Sequence, residues 1–257
     1  MPITNLKIAL YADSEGGKTL QIGHLINRFG AENVGIISCE SGLTTISSRV
    51  NPDYVKQCDS LDELRRAFVW AKDRFTQPTQ WVCVDGGSRV LQWVRDENWG
   101  NAEKAAELLL EGKRRDMLPD DLKPYARFVT KDMSLDGQRI WIQVGMDCER
   151  LMDAFIKLPS SVYWNFWEEL TSKGQYEKGL PWKPDTPGNG AFNAIRRAFD
   201  YVFRLTREGE TITAQCSNSA KAFAKKRDDW EVVKVPAEIK GFNLASFVEK
   251  VQGTVKP

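Results

Sequence analysis

The 257-residue chain carries one histidine, His24, and five cysteines, with no C-x-x-C pair among them. His24 falls off the apolar stripe of the first expected helix and reads as a surface residue. Neither a histidine-dependent zinc site nor a Ser-His-Asp triad is therefore expected. Several of the cysteines (Cys39, Cys58, Cys83, Cys148 and Cys216) sit in apolar runs, which points to buried free thiols in a reducing compartment. No apolar run is long enough to span a membrane, and no basic-then-apolar leader opens the chain, so a soluble, cytoplasmic protein is expected. Charge of one sign is also missing: 36 Lys and Arg face 35 Asp and Glu, a net of +1. Any nucleic-acid surface must then be local. Internal repeats and low-complexity segments are absent as well. What remains has the length of one large α/β domain over 1–257, with a loop or helical insertion around 99–140.

The strongest stretch is Lys7 to Thr19, an apolar run, a small polar loop and then Gly17-Lys18-Thr19. An amphipathic helix follows, with Ile22, Leu25, Ile26 and Phe29 on one face and Gly30 as its stop. Strand, loop and helix in this order are the setting in which G-x-x-x-x-G-K-[ST] binds phosphate. Ala12, Asp13, Ser14, Glu15, Gly16, Gly17, Lys18 and Thr19 form the expected nucleotide loop, with Ala12 in place of the motif's first glycine. Backbone N–H groups and the helix N-terminus would cradle anionic oxygens, Lys18 would reach the β/γ-phosphates, and Thr19 would hold Mg²⁺.

Further strands are expected at Val34–Cys39, Tyr54–Cys58, Trp81–Asp85 and Ser161–Phe166, and helices at 61–71, 99–116 and 142–156. Tyr201–Leu205 and Thr211–Gln215 read as a hairpin across Glu208-Gly209, and 242–251 as a short terminal helix. Alternating strands and helices imply a mostly parallel sheet with helices on both faces, whose ligands bind beyond the carboxyl ends of the strands. Asp85 then occupies a metal-shell position beside Thr19. Glu40 stands where a carboxylate can polarise a water for in-line attack on a γ-phosphate. Gly188, Gly190, Phe192, Arg196 and Arg197, with Lys183 nearby, read as a flexible loop offering cations and a stacking face to nucleic acid.

Ile37-Ser38-Cys39-Glu40-Ser41-Gly42-Leu43 resembles the RecA-type pattern in which a strand ends in the catalytic glutamate. Thr186–Arg197 with Val202–Leu205 is similar to RecA's mobile DNA-binding loop and the helix and strand after it. Ala224-Lys225-Lys226-Arg227 resembles the Lys-x-Arg element by which RadA- and DnaB-type relatives reach a γ-phosphate across a subunit boundary. The chain as a whole resembles phage RecA/RadA-like ATPases of the single-strand-annealing (Sak) recombinase group. That resemblance implies a RecA-like core, ATP and Mg²⁺ as ligands, and Glu40, Lys18, Lys225 and Arg227 as catalytic residues. It implies single-stranded DNA as partner, with a single-strand-binding protein as a further one, and a homo-oligomer, ring or filament, joined by trans-acting cations. A phage-encoded chain would work in its host's cytoplasm. Relatives carry a polar γ-phosphate sensor where Glu168 and Glu169 stand here. Two other readings remain: a small-molecule kinase with Lys113-Arg114-Arg115 as a lid, and a nucleotide-binding module that does not hydrolyse.

Overall fold

The structure, a computed structural model, describes residues 5–170, 182–219, 222–226 and 235–253. The strands are β1 (Lys7–Ala12), β2 (Val34–Ser38), β3 (Val55–Gln57), β4 (Trp81–Asp85), β5 (Ser161–Leu170), β6 (Trp182–Pro184), β7 (Tyr201–Glu208), β8 (Thr211–Gln215) and β9 (Glu238–Lys240). The helices are α1 (Lys18–Phe29), α2 (Leu61–Arg74), α3 (Gly87–Leu110), α4 (Gly137–Ile156), α5 (Gly188–Ala198) and α6 (Leu244–Val251).

Among the described residues the strands form one sheet in the order β3-β2-β4-β5-β1-β7-β8-β9, with β6 antiparallel on the end of β5. Contacts from β3 through β7 are parallel, and β8 runs antiparallel to both β7 and β9. This is the α/β, RecA-like sheet expected, and the β7–β8 hairpin turns at Gly209 as expected.

Strand alternation builds two cores. Ala9 and Tyr11, Val82 and Val84, and Val162, Trp164 and Phe166 face α2 to α5. The opposite pleat carries Ile8, Leu10, Trp81, Cys83 and Tyr163, which face α1 and α6. All five cysteines are buried and free. Among the described residues no helix is long and apolar enough to cross a membrane.

One difference from the sequence reading has a local cause. Helix α3 begins at Gly87, twelve positions before the expected start at 99, because Gly86 caps it from the left-handed region (φ 106°). Read in sequence, Gly86-Gly87 looks like a break. The stretch 117–136, expected as a loop or insertion, carries the 3₁₀ turn Lys123–Phe128 and packs Leu118, Leu122, Ala126 and Val129 on Ala105 and Leu109 of α3.

Candidate active site

The loop from Asp13 to Gly17 leaves β1 at the carboxyl edge of the sheet. Ala12 is fully buried as the last residue of β1, and its backbone lies outside the left-handed region, so the position has no need of glycine. The methyl of Ala12 instead dictates the residue facing it: a Cβ at Gly16 would fall 2.3 Å away. Gly17 enters α1 with φ +80°, and a Cβ there would meet Ile212 of β8 at 2.5 Å.

Asp13, Ser14, Glu15, Gly17, Lys18 and Thr19 line a cavity of about 620 Å³ that extends to Thr45, Arg207 and Gly209. A second cavity of about 440 Å³ shares Ser14, Lys18 and Thr19 and adds Glu40, Asp85, Arg89, Asn165 and Trp167. The expected loop, metal and base residues therefore meet in one place.

Lys18 donates its ammonium protons to the carbonyls of Ala12 (2.9 Å) and Asp13. Burial lowers its pKa, and the carboxylates of Glu40, Asp13, Asp85 and Glu168 act against that. An arriving phosphate offers this ammonium charged acceptors in place of neutral ones, and charge-assisted bonds are roughly twice as strong.

Asp85 accepts from Thr19 Oγ1 (3.1 Å) and from Asn165 Nδ2 on one carboxylate oxygen. The other, Oδ2, is buried without a partner, as is Glu40 Oε1. A Cβ at Gly42 would sit 3.2 Å from both Asp85 Oδ2 and Thr19 Oγ1, so glycine keeps that space open. Orphaned buried oxygens beside a hydroxyl suit a hard, oxygen-seeking cation such as Mg²⁺. Burial raises the Asp85 pKa, opposed by Asn165, Thr19 and Lys18.

Glu40 follows β2 in extended conformation. Its Oε2 accepts from the indole N–H of Trp167 at 3.2 Å. Burial, then the charge of Asp85, pushes its pKa up, while Trp167, Lys18 and Arg89 pull it down. A base with a raised pKa is better matched to proton abstraction near neutral pH.

The sequence reading missed three residues here. Asn165 bridges Asp85 and the Gly86 N–H (2.7 Å) from within β5. A lone amide in the apolar run Val162-Tyr163-Trp164-Asn165-Phe166 was the available signal. Arg89 and Trp167, which line the same cavity as Glu40, had no comparable mark.

Several expected assignments need correction. Glu168 forms a largely buried bidentate pair with Arg204 (2.8 Å), and Glu169 pairs with Lys183 (2.8 Å), so neither points a free polar group at the site. Gly188–Arg197 is not a flexible loop but helix α5, whose Gly190 lies against Gly145 of α4. Lys183 is buried, and Phe192 packs edge-on to Phe223, so neither presents the open surface expected of them. Arg196 and Arg197 are exposed, Arg197 pairing with Glu149. Lys225 donates to the carbonyls of Arg196 (2.8 Å) and Phe199, closing the end of α5 within its own chain. Its expected trans-acting role has no support in that placement. Arg227 lies outside the described residues. Arg114 pairs with Asp116 and Arg115 bonds the Val129 carbonyl, so in the alternative kinase reading the lid cations already have partners within the α3–α4 connection.

A phosphate-loop sequence, a buried carboxylate bonded to its threonine and a half-buried glutamate on one sheet edge are the arrangement of a P-loop NTPase. A family model described as "AAA domain" matches residues 4–228, and the chain belongs to that family. No curated protein matches it in sequence. Among solved structures it is similar to the RadB recombinase at 10% identity, over 82% of this chain and 80% of that one, with a TM-score of 0.42. It is also similar to EscN, the ATPase of the enteropathogenic E. coli type III secretion system, at 14% identity and a TM-score of 0.43. That match covers 79% of this chain and 43% of EscN.

Proposed function

We propose that the protein is a Mg²⁺-dependent ATPase that couples hydrolysis to binding of single-stranded DNA, in recombination or strand annealing. The observation that carries this reading is Glu40, set in one cavity with Lys18, Thr19 and Asp85 and held there by Trp167. Glu40 takes the proton of the attacking water. Lys18 and Arg89 offset charge developing on the γ-phosphate oxygens, and Asn165 fixes Asp85 against Thr19. Thr19 and Asp85 would hold a Mg²⁺, which would supply neutralisation of phosphate charge.

Coupling to DNA is supported by a short hydrogen-bonded path. The Trp167 carbonyl accepts from the Asp185 N–H (2.7 Å), and its N–H donates to Ser88 Oγ (3.0 Å). Ser88 in turn donates to the Asp185 carbonyl (2.9 Å). Asp185 leads through Pro187 into α5, and a groove of about 480 Å³ lies between α5 and α4. Trp141, 43% exposed, stands on its wall with Asn193 and Arg197. An exposed indole beside amide groups suits unstacked bases, and Arg197 would have to exchange Glu149, which shares the groove, for a phosphate. Strand in the groove would shift Asp185, and with it the indole that holds Glu40.

The test is fluorescence anisotropy of a labelled oligonucleotide with and without Mg²⁺-ATP. The reading expects nucleotide-dependent binding that weakens with salt, and about a tenfold loss for Trp141→Ala, since stacking is worth about 1–3 kcal/mol per base. Binding that ignores both nucleotide and Trp141→Ala would contradict it.

A further inference from the structure

Cys39 and Cys58 sit at the ends of β2 and β3. Ser38 pairs with Gln57 in parallel register, so the cysteines occupy the next rung. Both side chains enter the core that includes Leu64 and Val84, on the same face of the sheet. Adjacent strands are about 4.7–4.9 Å apart, inside the Cα separation of roughly 4.4–6.8 Å that a disulfide spans. The Cys58 thiol donates to the Lys56 carbonyl of its own strand at 3.9 Å, and Cys39 is the group that acts most on its ionisation. Cys58 also forms part of the wall of a cavity of about 420 Å³ with Lys56, Arg66 and Trp70, which gives a small oxidant a way in.

We propose that Cys39 and Cys58 are a reversible dithiol–disulfide switch, closed by hydrogen peroxide, that displaces Glu40 and halts nucleotide turnover. The consequence for turnover rests on Glu40 being the base; the disulfide itself does not.

Cys58 is the attacking sulfur. The neighbouring Cys39 thiol and then Arg66 favour its thiolate, against burial, Glu63 and Asp59. The thiolate attacks one peroxide oxygen, the O–O bond breaks, and hydroxide leaves, so Cys58 becomes a sulfenic acid. The Cys39 sulfur then attacks the Cys58 sulfur: the S–S bond forms, the S–O bond breaks, and water departs with the Cys39 proton. In sum two thiols and one peroxide give a disulfide and two waters, each sulfur losing one electron.

The link draws the two sulfurs together to about 2.05 Å. Cys39 is peptide-bonded to Glu40, and its N–H donates to the Asp85 carbonyl at 2.8 Å. The displacement therefore reaches the base and the metal-shell strand directly. Misplacement of a reacting group by about 1 Å is worth roughly a hundredfold in rate.

The experiment treats the full chain with hydrogen peroxide, maps peptides without reduction, and follows phosphate release and nucleotide binding. We expect a Cys39–Cys58 cross-link that dithiothreitol reverses. Turnover should fall by about a hundredfold with nucleotide binding kept, and Cys58→Ser should be active and indifferent to peroxide. Cys39→Ala provides a second insensitive variant should Cys58→Ser fold poorly. Thiols left free, Cys58 carried to sulfinic acid without a link, or a link with unchanged turnover would each overturn the switch. If the reduced protein hydrolyses nothing, the ATPase reading fails on its own. The switch is then judged by the cross-link and by altered amide exchange at Ser41 and Gly42, and it falls if either is missing.

Discussion

The indole N–H of Trp167 donates to Glu40 Oε2 across 3.2 Å, joining β5 to the segment just beyond β2. This bond fixes where the proposed base points, and it favours the ionised carboxylate that burial and Asp85 disfavour.

Trp167→Phe removes the donor and keeps an aromatic ring. The Glu40 pKa then rises further, so hydrolysis is lost at a higher pH as the solution is acidified. The acid limb of kcat/KM should move up by about one pH unit, since a hydrogen bond to a charged group is worth about 1.5–3 kcal/mol. A pH–rate profile of both proteins reads this directly. An unmoved limb would separate Trp167 from the base.

Lys7 gives a stability test away from the site. Its ammonium is buried against the carbonyls of Leu158 (3.1 Å) and Ser160 (2.7 Å), and burial lowers its pKa from 10.5 to about 8 despite Asp200. Below pH 8 both folded and unfolded chains hold the proton, and the burial penalty is fully present. Between pH 8 and 10.5 the folded chain releases it while the unfolded chain keeps it, so this contribution becomes more favourable as pH rises. Wild type should therefore gain on Lys7→Met by on the order of 3 kcal/mol over that window. Urea unfolding of the two proteins at both ends of the window measures the difference.

Glu168 and Arg204 form an ion pair with side chains only 9% and 15% exposed. Arg204→Met strands a buried carboxylate and should destabilise the chain by about 3–5 kcal/mol. The double change with Glu168→Leu should recover most of that loss, because two apolar groups leave no orphaned charge. Denaturant midpoints across the double-mutant cycle decide it.

At Gly190 two effects oppose each other. Alanine favours helix over glycine by about 1 kcal/mol. Its Cβ, however, would lie 2.9 Å from the Gly145 Cα, backbone against backbone. Overpacking of about 1–3 kcal/mol wins, so Gly190→Ala should lower the melting temperature. Gly100→Ala, with nothing within 4 Å of the new Cβ, serves as the control and should not.

Much of the nucleotide edge was legible because it is local. Lys7 to Thr19 carries its own strand, loop and helix signals, and Trp81–Asp85 was placed to the residue. What failed was non-local. The glycines of 188–190 read as loop flexibility, but Gly190 serves a crossing with Gly145 on another helix. Glu168 and Glu169 looked like sensor candidates by position, until Arg204 and Lys183 supplied partners from β7 and β6. Asn165 was passed over because a buried amide announces itself only through what it bonds.

The most direct measurement is phosphate release from Mg²⁺-ATP, with and without single-stranded DNA, for wild type and Glu40→Gln. The account predicts release that DNA stimulates, and a loss of about a hundredfold or more in Glu40→Gln with ATP binding intact. Turnover that ignores both the DNA and the substitution would contradict it.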